Sequence, residues 1–156
     1  MKLTLAVLAA SIAVGAAAAA GPLFPSVSGT DPVTGRHVAL TQFRGRAVVV
    51  NFWASWCGGC MNEAKDLLFF AKAHPGLALL GIDEQDSKQG AQGFYRRYGF
   101  SHPSIFDPKY RIGSRLGIPG LPVTLFLDRN HNIVANITGA ATLAQLEAGL
   151  AKARGS

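Results

Sequence analysis

The chain predicts a single α/β domain with a mixed central sheet and helices on both faces. Three observations predict it. Apolar, β-branched runs at Ala47–Trp53, Leu77–Ile82 and Val123–Leu127 alternate with segments of helical periodicity. The first two runs are apolar almost throughout, as strands covered on both faces are. A length of 156 residues suits one domain with a sizeable core.

Taken in order, Pro22–Pro32 reads as irregular, with a short extended piece near Phe24–Val27. Asp31-Pro32-Val33-Thr34-Gly35 has turn chemistry, and His37–Leu40 is a short strand. Thr41 is expected to cap a brief turn, Gln42-Phe43-Arg44, closed by Gly45. From Cys57 the period changes: Cys57, Cys60, Met61, Ala64, Leu67, Leu68 and Ala71 recur at helical spacing. That helix should end at His74, before Pro75-Gly76. After Leu77–Ile82, Asp83–Asp86 reads as a polar exit. Ser87 caps a helix with an inner stripe of Ala91, Phe94, Tyr95 and Tyr98, stopped by Gly99. Ser104–Phe106 is a short strand and Lys109–Leu116 a short helix. Asp128-Arg129-Asn130-His131 is a hairpin turn between Val123–Leu127 and Asn132–Thr138, with Ile133, Ala135 and Ile137 on one face. Thr142-Leu143-Ala144-Gln145 is a capping box opening a last helix whose Leu143, Leu146 and Leu150 face inward.

The chemistry concentrates at Trp56-Cys57-Gly58-Gly59-Cys60, which holds the only two cysteines. A C-x-x-C pair between a strand and a helix reads as redox-active. Cys57 falls at the helix N-terminus, where unpaired amides and the macrodipole stabilise a thiolate, and is the expected exposed nucleophile. Cys60 lies one turn deeper and would resolve a mixed disulfide. Glu63, three residues further, sits at the polar edge of the buried stripe and is a candidate to exchange protons with the thiols. Trp53 and Trp56 pack around the site, Trp56 also lining a substrate surface. Pro122 opens a strand; a cis peptide there, facing the cysteines, would leave the Leu121 backbone free to pair with an extended substrate segment.

Other classes fit less well. The formal charge is +6, but no Lys or Arg residues are adjacent except Arg96-Arg97, so no nucleic-acid groove is indicated. His37, His74, His102 and His131 lack zinc-site spacing, so no metal is expected. Residues 1–20 read as a signal peptide: Lys2, an apolar Leu3–Val14 and small residues Ala16–Ala20. An uncleaved anchor is the alternative. The remaining residues, 21–156, form the domain, in a compartment where disulfides persist.

With these pieces in place the sequence resembles the TlpA-like thioredoxins, the exported group that includes ResA and CcmG. The matching stretches are Leu40–Arg46, Val50–Cys60, Glu63 and Gly120–Asp128. The resemblance implies a thioredoxin-like fold with an N-terminal β extension and a central helical insertion near Ser87–Tyr98. It implies an extracytoplasmic thiol-disulfide oxidoreductase that reduces protein disulfides, often on apocytochrome c or other metalloproteins. Electrons would come from a membrane thiol-disulfide transporter, with no cofactor. Two departures stand out. The group commonly has proline before the second cysteine, where this chain has Gly59. Asn51 stands where ordinary thioredoxin has a buried aspartate, which draws interest to Glu63. Competing readings are a disulfide-introducing oxidase, a thiol peroxidase and a metal-binding module.

Overall fold

The computed structural model describes residues 21–156; the leader expected over residues 1–20 lies outside them. Two short strands, β1 (Ser28–Thr30) and β2 (His37–Ala39), pair antiparallel and precede a 3-10 turn at Leu40–Phe43. The main sheet holds β3 (Val48–Trp53), β4 (Ala78–Glu84), β5 (Ser104–Asp107), β6 (Val123–Leu127) and β7 (Ile133–Thr138). Their spatial order is β5-β4-β3-β6-β7, with β3, β4 and β5 parallel and β6 and β7 antiparallel. The helices are α1 (Gly58–Ala73), α2 (Lys88–Tyr98), α3 (Arg111–Leu116) and α4 (Leu143–Gly155).

Alternation along the strands decides which layer each side chain joins. Val48, Val50, Phe52, Leu80, Ile82, Val123, Leu125 and Leu127 build one core with Phe24, Leu40 and the α3 residues Ile112 and Leu116. The opposite face puts Val49, Leu79 and Phe126 against Leu67 and Phe70 of α1 and Leu146 and Leu150 of α4. Trp53 on that same face meets Ala91, Phe94 and Tyr95 of α2. Every residue of β3 is buried, as its apolar run predicts.

Several expectations are corrected. The first strand is Ser28–Thr30, not Phe24–Val27, because the turn sets the pairing. The Asp31 carboxylate accepts the Val33 and Thr34 amides, both at 2.8 Å, which places Thr30 opposite His37. Phe24 and Val27 are buried as irregular chain. Thr41 caps nothing; the 3-10 turn starts at Leu40, and the Gln42 side chain accepts the Ala39 amide at 3.1 Å. The inner stripe of α1 is Cys60, Glu63, Ala64, Leu67 and Phe70, with Met61, Leu68 and Ala71 at its flanks. A register shift at Phe126/Leu127 sends Ile133 to the first core and leaves Ala135 and Ile137 on the second. In α4, Leu143 is 39% exposed, and Gly149 and Ala153 complete the inner face. A Cβ on Gly149 would stand 2.4 Å from the Phe126 ring, so α4 packs closely on β6 there. Helix α3 starts at Arg111 rather than Lys109.

The polar exit expected at Asp83–Asp86 begins two residues late. Strand β4 keeps pairing with β5 through Asp83↔Phe106 and Glu84↔Asp107, and the ladder carries both acids into the interior. Both are buried, and neither Asp83 oxygen nor Glu84 Oε1 has a hydrogen-bond partner. Burial, then the neighbouring Asp86 charge, pushes the Asp83 carboxyl up to about 9. Burial and the Asp107 charge push Glu84 up to about 7. The unfolded chain releases the Asp83 proton near 3.8, whereas the folded chain holds it to about 9. Between those values the folded state binds more protons, so stability falls as pH rises. Asp83→Asn is expected to remove most of this slope. Thermal melts should show the variant gaining on the wild type far more at pH 8 than at pH 5; parallel curves would refute the assignment.

Candidate active site

Cys57 is the N-cap residue of α1, in extended conformation, and forms a disulfide with Cys60 across a Cα–Cα distance of 5.2 Å. The Cys60 amide donates to Cys57 Sγ at 3.1 Å, so one of the unpaired amides at the start of the helix points at the sulfur. No acidic side chain lies in the first turn of α1 to oppose that field. The expected contrast between an exposed Cys57 and a covered Cys60 is nearly absent: the residues are 4% and 2% exposed. In the oxidised pair, Trp53, Ala54 and Leu121 pack round both.

The Leu121–Pro122 peptide is cis. Pro122 is buried and Leu121 half-buried. A Cβ on Gly59 would lie 2.8 Å from Pro122 Cδ, so the segment leans directly on the C-x-x-C turn. With this position of the proline ring, a side chain at 59 would need Pro122 to shift. On the other flank Trp56 is 57% exposed, and its indole N–H donates to the Gln85 carbonyl at 3.0 Å. Trp53, by contrast, is buried, its indole N–H held by Ser104 Oγ at 3.1 Å.

Behind Cys60, Glu63 is 3% exposed, at the centre of the buried stripe rather than its edge. Its Oε1 accepts from Asn51 Nδ2 at 2.9 Å and its Oε2 from the Ala141 amide at 2.7 Å. Asn51 Nδ2 also donates to Thr124 Oγ1 at 3.1 Å. Burial raises the Glu63 carboxyl above its usual range, and the two hydrogen bonds only partly offset this. A cavity of about 10 Å³ is bordered by Cys60, Glu63, Asn51 and Trp53 on one side and Tyr95, Phe100 and His102 on the other. That is room for about one water molecule. Burial lowers the His102 imidazole to about 4, so it is neutral at ordinary pH. Among the described residues no group of three or more His, Cys, Asp or Glu side chains is placed to hold a metal ion.

Two participants escape a reading of the sequence. Asp86 accepts the Ser55 amide at 2.6 Å on Oδ2 and, on Oδ1, the Ser55 hydroxyl at 2.8 Å and the Ser87 amide at 2.7 Å. It thereby clamps the loop before Trp56-Cys57 to the start of α2. Its signal, an Asp-Ser pair opening a helix, reads as a cap and nothing more. Thr124 is a polar residue inside an apolar strand two positions after Pro122, a signal visible only once Asn51 is known to lie opposite.

The family described as Redoxin matches residues 19–150. The thiol-disulfide oxidoreductase ResA of Geobacillus thermodenitrificans (strain NG80-2) is 30% identical over 110 residues, covering 69% of this chain and 63% of that protein. The chain thus spans under two thirds of that relative's length. Among solved structures, a DsbF homologue from Corynebacterium diphtheriae superposes with a TM-score of 0.77 at 28% identity, covering 85% of this chain and 87% of that one. A secreted thiol-disulfide isomerase from Corynebacterium glutamicum gives 0.73 at 29% identity, covering 83% and 84%. Family match, sheet order and site geometry agree: the chain belongs to the Redoxin family, as a thioredoxin-fold protein of the ResA/CcmG type.

Proposed function

We propose that this thiol-disulfide oxidoreductase works outside the cytoplasm as a reductase of protein disulfides. The surroundings of Cys60 carry the direction. A strong oxidant owes its potential to a stabilised thiolate in the reduced form. Here the cavity at Cys60 is bordered by a buried carboxylate, a neutral imidazole and apolar rings, with no Lys or Arg. A thiolate at Cys60 meets no compensating cation, and the two glycines after Cys57 add no charged side chain to stabilise its thiolate beyond the helix N-terminus, which supports a reductase.

The reaction follows from the geometry. The Cys57 thiolate, favoured by the helix N-terminus, attacks one sulfur of a substrate disulfide, forming a mixed disulfide and releasing one substrate thiolate. Cys60 then loses its proton to Glu63 across the small cavity and attacks Cys57 Sγ. The Cys57–Cys60 disulfide forms, and the second substrate thiolate leaves with the electron pair. Trp56, Leu121 and Pro122 form the surface on which the substrate segment lies. A membrane thiol-disulfide donor returns the pair to the dithiol. The resemblance to ResA and CcmG supports apocytochrome c or another metalloprotein precursor as substrate. The expected leader and the secreted C. glutamicum relative support export. Among the described residues no helix is long and apolar enough to cross a membrane.

The reduction potential tests the direction: a value near about −270 mV supports a reductase, whereas one near about −120 mV reverses the flow and makes the protein a disulfide donor. Insulin-disulfide reduction should be lost in Cys57→Ala, while Cys60→Ala should accumulate a mixed disulfide with substrate, resolved on non-reducing gels. Glu63→Gln keeps an acceptor for the Ala141 amide but not the base. It should slow resolution at pH 7 by about tenfold or more. The remaining pH dependence should move up toward the ordinary thiol range near about 8.5. An unchanged pH–rate profile would remove Glu63 from the mechanism.

A further inference from the structure

A groove of about 340 Å³ runs between the start of α1 and the outer side of α2. Ser55, two residues before Cys57, and Met61, one helical turn after it, border the groove; the Met61 amide donates to the Cys57 carbonyl at 3.1 Å. Along α2 it is bordered by Gly93, Phe94, Arg97 and Tyr98. The beginning of α2 touches Ser55, since a Cβ on Gly90 would stand 2.4 Å from its Oγ. Arg97, seven residues on, is therefore about 10 Å further along the helix axis.

The two glycines of this helix differ in kind. Gly90 is required by its contact with Ser55. Gly93 is not required by anything in the fold: its φ is ordinary, and an added Cβ would meet no atom within 4 Å. A glycine inside a helix is destabilising relative to alanine. What Gly93 preserves is an open floor on which a second backbone can lie. At the far end Arg97 is exposed, its guanidinium held 5.5 Å from the Tyr98 ring centroid. Among the described residues no carboxylate lies within ion-pair distance of it.

We propose that this groove binds an extended segment of the substrate protein carrying an acidic side chain, which pairs with Arg97. The proposal rests on the reductase reading and names a substrate feature for the same site. Extended chain advances about 3.3 Å per residue, which places the acidic residue about three to five positions from the substrate cysteine. Met61, Phe94 and Tyr98 supply apolar contact along the segment, and Met61 adapts to different neighbours.

The test uses disulfide-linked synthetic peptides that differ only in Asp or Asn at those positions, with hydroxyethyl disulfide as a small substrate. The readout is kcat/KM of the wild-type protein with dithiothreitol as electron donor. The wild type should favour the Asp peptide by about fivefold, the scale of an exposed ion pair, and lose that preference at high salt. Arg97→Lys should keep the preference in part and Arg97→Glu should invert it. Gly93→Leu fills the groove and should raise KM for both peptides, with a melting temperature no lower than that of the wild type. Equal kcat/KM on both peptides, or a preference that survives Arg97→Glu, overturns the groove proposal alone. Failure of the wild type to reduce hydroxyethyl disulfide as well as the peptides overturns the reductase reading beneath it.

Discussion

One buried carboxylate ties the architecture together. Glu63 belongs to α1, yet its two oxygens are held by Asn51 on the central strand and by the Ala141 amide just before α4. Asn51 passes the connection to Thr124 on β6. The acid beneath Cys60 thus joins α1 directly to β3 and to the start of α4, and through Asn51 to β6. An acid in such a place is costly to desolvate, and removing one of its partners would leave a buried polar group unpaired. The network acts with the packing of Leu67 and Phe70 to hold one rotation of α1 about its axis. That rotation is what sets Cys60 inward and Cys57 at the junction with the strand.

The loops flanking the disulfide are fastened independently of that network. Asp86 holds Ser55 from the side of α2. The other flank is held by contact of the Pro122 ring with Gly59 and by the Gly139 amide, which donates to the Pro122 carbonyl at 2.9 Å. The reacting sulfurs are thus framed by polar fastening on one side and shape on the other. Trp56 is the large side chain of this rim left open to solvent.

Much of this was legible in the residues. Apolar runs placed β3, β4 and β6, and the spacing of Cys57, Cys60 and Glu63 placed the chemistry on one helix. What escaped has a common physical origin. Strand pairing continues for as long as a neighbouring ladder offers partners, so Asp83 and Glu84 were drawn inside although their character suggests a loop. Asp31 directs β1 through its own turn, independently of the apolar residues before it. The expected stripe of α1 ran through Met61, Leu68 and Ala71, which lie at its flanks, and left out Phe70, which is fully buried beside an exposed Phe69. Residue type cannot separate the two phenylalanines; packing of Leu67 and Phe70 against Val49, Leu79 and Phe126 does. Asp86 and Thr124 act through partners distant in sequence, which no local pattern encodes.

The close approach of Gly59 to Pro122 has a consequence for how such a protein can change. The second residue between the cysteines has no free space: its missing side chain is the volume that the proline ring occupies. A new residue at 59 would displace the loop that carries the cis Leu121–Pro122 peptide, so the dipeptide and that loop cannot change independently at this position. Gly58, whose Cβ would meet nothing within 4 Å, is the position at which the dipeptide varies without moving that loop.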